Sequence, residues 1–302
     1  MGRRLDLVAY LKLFRFPLVF TAIADSAAGY LLVQRRGVDP GTLGLLAVAS
    51  AGLYFLGMAL NDVADRKRDK VIAPNRVLPS GRVSLRGALG ACGIAVLLSG
   101  AAVAAAPGGD PGRFVAWGAT LLCIVAYDFL LKLPPVMGLV RGGNFLLGVF
   151  FVAPVAAPFG PTLLLISDYG RMTMLAIVPV LYGTALTFIS TLEEGDVRRR
   201  VVFVGASFMG VAALLPGLLH VYVRGAFWGF LPAGALIAWI SFRASRAIDR
   251  RGVMLLVRDG VAGFILLDAT WLSAAGRLVP AAAITALLIP AALSVAWFKK
   301  LA

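Results

Sequence analysis

Histidine is almost missing from this 302-residue chain; there is one, His220. Cysteine is nearly as scarce, with Cys92 and Cys123 the only two. That scarcity removes Ser–His–Asp chemistry and His-ligated zinc, and it offers no disulfide framework. Acidic residues are few as well, 15 against 29 Lys and Arg, and residues of both charge signs make up only 15% of the chain. No GxxxxGK[ST] phosphate loop occurs, so ATP-driven transport has no motif here. What is present is apolar: 60% hydrophobic residues and a mean hydropathy of +0.89. An average globular domain is roughly 45–50% apolar and about 25% charged. One soluble core could not hide such an excess. The composition therefore reads as an all-α, polytopic membrane protein, with residues 1–302 as a single domain.

A membrane-crossing helix needs about 20 mostly apolar residues, because unpaired backbone groups are too costly in hydrocarbon. Ten such runs stand out, near residues 17–34, 42–60, 87–106, 114–131, 137–157, 172–192, 201–222, 226–242, 260–276 and 279–298. They are apolar all round, not alternating as in a barrel. If the N-terminus and every even-numbered connection share one side, 23 of the 29 Lys and Arg fall there. By the positive-inside rule that face is cytoplasmic, and both termini lie on it. The +14 net charge is then mostly orientation and implies no nucleic-acid partner. The first run follows basic residues, as in a signal peptide, but no convincing cleavage site follows, so it reads as a retained span. Cys92 and Cys123 lie within runs and read as small buried hydrophobes. Residues 243–258 are basic and partly amphipathic, which suggests a helix lying in the headgroup region.

The chemistry concentrates after the second run, in Asn61-Asp62-Val63-Ala64-Asp65-Arg66-Lys67-Arg68-Asp69-Lys70, followed by Asn75-Arg76-Val77-Leu78-Pro79-Ser80-Gly81. If the second helix continues through it, Asp62, Asp65 and Asp69 stand at i, i+3 and i+7, which gathers three carboxylates on one face. Such a group repels itself unless something positive joins it. Mg²⁺ suits the arrangement: it takes one or two carboxylates, keeps waters and completes its shell with phosphate oxygens. The interleaved Arg66, Lys67, Arg68 and Lys70 suit phosphate too. The alternative is a solvated loop of mixed charge against lipid headgroups.

Asn61, Asp62, Asp65 and Asp69 form an NDxxDxxxD motif, and residues 76–81 are similar to the RP-[LI]-P-S-G tail that follows it in the UbiA superfamily of intramembrane prenyltransferases. The chain resembles that superfamily over roughly its whole length. The resemblance implies a bundle of nine transmembrane helices where the charge count favours ten, so nine or ten are expected, multi-pass in a bacterial cytoplasmic membrane with the acidic motifs on the cytoplasmic side. It implies Mg²⁺ on the diphosphate of an isoprenyl donor, and transfer of the isoprenyl group to a small or aromatic acceptor within the membrane, whose identity the sequence does not give. Asp62, Asp65 and Asp69 would bind the metal. So would Glu194 and Asp196 of the second acidic segment, Thr191-Leu192-Glu193-Glu194-Gly195-Asp196. Asp196 joins the three earlier aspartates as a catalytic candidate. Leu192 stands where that second motif would open with Asp, and Glu193 is the available substitute. Asn61, Lys67, Arg76, Tyr127 and Lys132 are the implied substrate contacts near the diphosphate, with Arg141 and Asn144 deeper. Lys132 could equally be an interfacial anchor.

Several stretches are similar to the EboC-like branch of the superfamily: residues 21–25, Lys132-Leu133-Pro134-Pro135, residues 137–148 with Arg141 and Asn144, and Leu267-Asp268-Ala269. Asp25, Asp128, Arg141, Asn144 and Asp268 are polar residues at membrane depth, where charge is costly and faces a cavity or a partner. Arg141 could hold a phosphate oxygen bidentately or pair with Asp25 or Asp128. Asp268 reads as an internal polar contact. The departure at Leu192 leaves room for another class of function, a membrane carrier or exporter component that binds an amphiphile without chemistry. The DGxxAR…GxxxDxxxD spacing of membrane phosphotransferases is absent.

Overall fold

Several helices begin where the sequence supplies a capping side chain. Asp39 accepts from the Thr42 amide at 2.8 Å and Pro40 occupies the first turn, opening the longest helix. Ser84 and Asp249 accept from the amides of Gly87 and Gly252 at 3.0 and 2.7 Å, opening two more. Capping of this kind satisfies amides that have no partner in the first turn.

The computed structural model describes residues 6–34, 37–108, 110–152, 174–193, 195–220 and 226–300. Its helices are α1 (Leu7–Leu13), α2 (Val19–Val33), α3 (Pro40–Ile72), α4 (Leu85–Ala105), α5 (Gly112–Phe129) and α6 (Pro134–Phe150). They continue with α7 (Ile177–Ser190), α8 (Arg199–Leu219), α9 (Phe230–Ser245), α10 (Arg250–Ala274), α11 (Leu278–Ala286) and α12 (Leu288–Lys300). There is no strand among the described residues. The 3₁₀ turn Phe16–Leu18 leads into α2, and Thr191–Glu193 ends α7.

All ten apolar runs coincide at least in part with helix. Seven segments among the described residues are long and apolar enough to cross a membrane: Phe16–Val33, Pro40–Ile72, Leu85–Ala105, Gly112–Phe129, Arg199–Leu219, Phe227–Ser245 and Leu278–Phe298. The other three runs lie on α6, α7 and α10. The first two are short, and α10 carries Arg250, Arg251, Arg258 and Asp259 in its opening turns. The run at 279–298 breaks between α11 and α12, where Pro290 has no N–H for the Ala286 carbonyl. Gly276, at a φ of +75°, makes the turn before α11 that other residues resist.

Residues 243–258 do not form a separate surface helix. α9 stops at Ser245, and Asp249 caps a new helix that runs without interruption into the bundle. Its basic opening turns and its apolar remainder are one rod.

Consecutive helices pack as neighbours around a ring: α2 on α3, α5 on α6, α6 on α7, α7 on α8, α8 on α9 and α9 on α10. The ring closes because α10 returns to α2, and α6 also packs directly on α2. Glycines allow that closeness: a Cβ on Gly52 would stand 2.7 Å from the Ala95 carbonyl oxygen of α4. Small residues do this work in membrane bundles, where burial between helices has no hydrophobic drive of its own. The outer faces expose Leu97, Val115, Leu122, Val279 and Leu293.

Candidate active site

The ring encloses a cavity of about 540 Å³ that opens at the end of the bundle where α3, α5 and α7 finish. One face of α3 lines it through Tyr54, Met58, Asn61, Asp65 and Arg68, a sequence of three- and four-residue steps. The helix does continue through the acidic cluster as the sequence predicts. The three aspartates are not equivalent, however. Asp65 lines the cavity, whereas Asp62 and Asp69 sit to its flank, buried and off the lining.

Every carboxylate in the cluster is held by a cation. Asp62 receives Arg15 at 3.4 Å, Asp69 receives Arg76 at 2.7 Å, and Asp65 receives Arg68 at 3.1 Å. Lys132, which follows α5, closes on the other oxygen of Asp65. Arg15, Arg68, Arg76 and Lys132 all line the cavity, and each side chain is roughly 40% exposed at 43%, 43%, 39% and 42%. Burial alone would lower the pKa of Arg76, but the hydrogen bond and charge of Asp69 outweigh it and raise the value. Arg76 therefore stays charged.

Arg15 is the residue that sequence reasoning counted only as a topogenic charge. It sits between α1 and the Phe16–Leu18 turn at a φ of +45°, a left-handed conformation rare outside glycine. The Tyr54 hydroxyl donates to its carbonyl at 3.1 Å, fixing it. Backbone strain of this kind persists where surrounding contacts over-determine it. Arg68 had a readable signal, seven residues after Asn61 on the same helical face. Nothing local to the sequence marked Arg15.

Of the other expected residues, Asn61, Tyr127, Lys132, Arg141 and Asn144 line the cavity, and so does Asp128. Lys67 is exposed and off the lining. From the second acidic segment Glu193 lines the cavity, while Asp196 is exposed and off it. Glu194 lies outside the described residues. Leu192 is buried in the core at the position where the motif would carry Asp.

Deeper, the wall turns apolar with Leu53, Ile124, Val140, Leu186, Val261 and Phe264. Arg141 projects from α6 and donates to Asp25 of α2 at 2.8 Å and to the Thr21 carbonyl at 3.2 Å. Its guanidinium carbon stands 3.7 Å from the centroid of the Phe264 ring. Asn144 donates to the Ala22 carbonyl at 2.7 Å and to the Ser50 hydroxyl at 2.9 Å. Of the partners open to Arg141, the structure pairs it with Asp25.

The donor set fits Mg²⁺ of one kind only. Among the described residues no three His, Cys, Asp or Glu converge as an all-protein metal cage. Asp65 on the lining, flanked by Asp62, matches the habit of Mg²⁺ to bind one or two carboxylates and take its remaining ligands from phosphate and water.

A family model described as the UbiA prenyltransferase family matches residues 19–254. The digeranylgeranylglyceryl phosphate synthase of Halobacterium salinarum (strain R1) is 30% identical over 237 residues, covering 75% of this chain and 82% of that protein. The synthase of the same name from Metallosphaera sedula is 37% identical over 94 residues, 30% of this chain, so the match spans only 33% of that relative's length. Among solved structures, a UbiA homologue from Archaeoglobus fulgidus bound to GPP and Mg²⁺ aligns with a TM-score of 0.58 at 13% identity, covering 89% of this chain and 99% of that one. A digeranylgeranylglyceryl phosphate synthase structure aligns with a TM-score of 0.59 at 16% identity, covering 89% and 98%.

Proposed function

The chain belongs to the UbiA prenyltransferase family, and we propose that it transfers an isoprenyl group from an isoprenyl diphosphate to an acceptor within the membrane, with Mg²⁺ as cofactor. One observation carries this reading: a cluster of carboxylates, each paired with an exposed cation, stands at the mouth of a cavity whose far wall is apolar. A diphosphate needs the first and an isoprenoid tail needs the second. In this reading the mouth faces the cytoplasm, as the distribution of Lys and Arg favours. The relatives named above and the GPP-bound neighbour support the donor class.

Asp65 and Asp62 hold the metal, with Asp69 keeping Arg76 in position and Asn61 beside them. Glu193 is the acidic group of the second segment that lines the cavity, and Glu194 and Asp196 follow it in sequence as further ligands. Bound Mg²⁺ neutralises the diphosphate and makes it a better leaving group. The protein does the rest. Arg15, Arg68 and Lys132 move from carboxylates to phosphate oxygens, Arg76 reaches them from its place on Asp69, and together they stabilise the charge that grows as the C–O bond breaks. Tyr127 and Asn61 line the same end. The allylic carbon, left cationic, meets the acceptor among Leu53, Ile124, Leu186 and Val261, which exclude the water that would otherwise quench it. The acceptor's displaced proton leaves with the diphosphate.

Incubation of the purified protein with geranyl, farnesyl and geranylgeranyl diphosphates, candidate acceptors and Mg²⁺ tests the reading. Diphosphate release, abolished by EDTA and by Asp65→Ala, is the expected result. The buried Leu192 favours one competing reading, a carrier that binds the amphiphile without chemistry. Binding without release would establish that instead.

A further inference from the structure

Three formal charges meet in the dry part of the bundle, well inside the mouth. Asp25 on α2 and Asp268 on α10 are both at 0% exposure, and the Arg141 side chain on α6 is at 11%. Arg141 satisfies one oxygen of Asp25. The other oxygen of Asp25 and both oxygens of Asp268 have no hydrogen-bond partner among the described residues if all are acceptors. Yet the Asp268 carboxyl meets the Asp25 carboxyl directly, side chain to side chain.

Two ionised carboxylates facing each other with no donor between them would leave a net negative charge in the membrane interior, which is among the costliest arrangements available. Neighbouring groups do not relieve it. Asn144 also approaches Asp25, but its two amide hydrogens go to Ala22 and Ser50. The Tyr182 hydroxyl of α7 donates to the Gly260 carbonyl at 2.9 Å. A proton resolves the difficulty. Placed on Asp268 and donated to Asp25, it pairs the free Asp25 oxygen and removes the excess charge. Asp25 is the ionised partner, because it is the one that accepts from Arg141.

We propose that Asp268 is a neutral carboxylic acid that donates its proton to Asp25, so that Asp25, Arg141 and Asp268 together put no net charge on the chamber wall. This deepens, and rests on, the reading of the cavity as a prenyl-donor chamber. Asp268 is a positioning residue. It touches no substrate and lies off the lining, but it locks Asp25, which in turn lays Arg141 over Phe264, four residues before Asp268 on the same face of α10. Gly183 leaves the space for this: a Cβ there would come within 3.3 Å of Arg141 Cγ and 3.4 Å of Phe264 Cζ. A wall with no net charge suits the uncharged isoprenoid tail and does not compete with the mouth for the diphosphate. It also spares the allylic carbon an unbalanced positive neighbour.

The test uses the full chain in lipid nanodiscs. Infrared difference spectra in H₂O and D₂O at neutral pH should show a protonated carboxylic C=O band in the wild type that Asp268→Asn removes. Asp268→Asn, which keeps a donor and no charge, should melt within a few degrees of wild type, with Asp268→Ala clearly lower. Asp25→Asn strands Arg141 and should lower the midpoint by roughly 10 °C. If Asp268→Asn removes no such band, or melts as low as Asp268→Ala, the proposal is overturned. Should Asp25→Asn fail to fold, the Asp268 spectra and the Asn–Ala contrast still decide. Inorganic pyrophosphate with Mg²⁺ serves as the mouth probe, and Asp268→Asn should bind it as wild type does. Failure of the wild type to bind it would sink the donor-site reading while leaving the protonation result standing.

Discussion

At the mouth of the cavity, Asp65 shares Lys132 and Arg68, whose side chains are 42% and 43% exposed. On the inner wall, Asp25 holds Arg141 with exposures of 0% and 11%. The chemistry of the pairs is the same, carboxylate against cation, but their freedom is opposite. An exposed pair contributes about 0–1 kcal/mol and can be exchanged for another partner at little cost. A buried pair was costly to assemble, and removing one member leaves a charge that nothing solvates. On the proposed function the mouth can therefore trade its cations to an arriving diphosphate, and the inner wall cannot. In this molecule exchange and rigidity are assigned by depth.

Variants on either side would break or sharpen that division. The largest effect is expected from Arg141→Met, which leaves Asp25 buried without its cation and with only the Asp268 proton to hold it; unfolding should be easier by roughly 3–5 kcal/mol, read as a fall in the thermal midpoint. Asp65→Ala should do the reverse, lowering diphosphate release by about 10²–10³-fold while the midpoint stays near wild type. A collapse of both together would mean that the mouth is structural as well. Lys132→Gln should raise the KM for the isoprenyl diphosphate about tenfold, a loss of roughly 1.4 kcal/mol, and the effect should shrink as added salt screens the mouth.

The smallest effect belongs to Asp6 at the start of α1. The Ala9 amide and Arg82 hold its pKa below the ordinary carboxylate value. Its contribution is therefore fully present above the unfolded pKa, near 3.9, and is lost as pH falls through the lower folded value. Asp6→Asn should leave the midpoint almost unchanged at neutral pH, and the small difference from wild type should shrink as the pH falls below the ordinary carboxylate range and vanish once Asp6 is protonated in the folded state.

Much of this was readable from the chain, for definite reasons. Apolar runs long enough to cross a bilayer report their own existence, so all ten coincide at least in part with helix; residues 153–157, 172–173 and 221–222 of those runs lie outside the described residues. The i, i+3, i+7 spacing placed Asp62, Asp65 and Asp69 on a continued helix, but periodicity does not say which edge of a face meets a cavity, and only Asp65 does. Residues 243–258 looked like a surface helix because their charge is concentrated; the Asp249 cap that splits them is a single residue, easily outweighed by composition. Arg15 was invisible as a site residue, since its place depends on a backbone turn and a contact from Tyr54, 39 positions away. The pairing of Arg141 could only be narrowed to two aspartates, because depth along two separate helices is not encoded locally.

The length of α3 has a further consequence. It runs unbroken for 33 residues, which at about 1.5 Å per residue is a rod of roughly 50 Å. Its upper turns set Ser50 against Asn144 and its lower turns carry Asp65, so the inner wall and the acidic mouth are cut on one shaft. One residue inserted between them would twist the carboxylates by about 100°, turning the cavity's aspartate toward a neighbouring helix. The helix thus behaves as a key whose teeth must keep their phase, and the alignment of inner wall and mouth is written in the number of residues between Ser50 and Asp65.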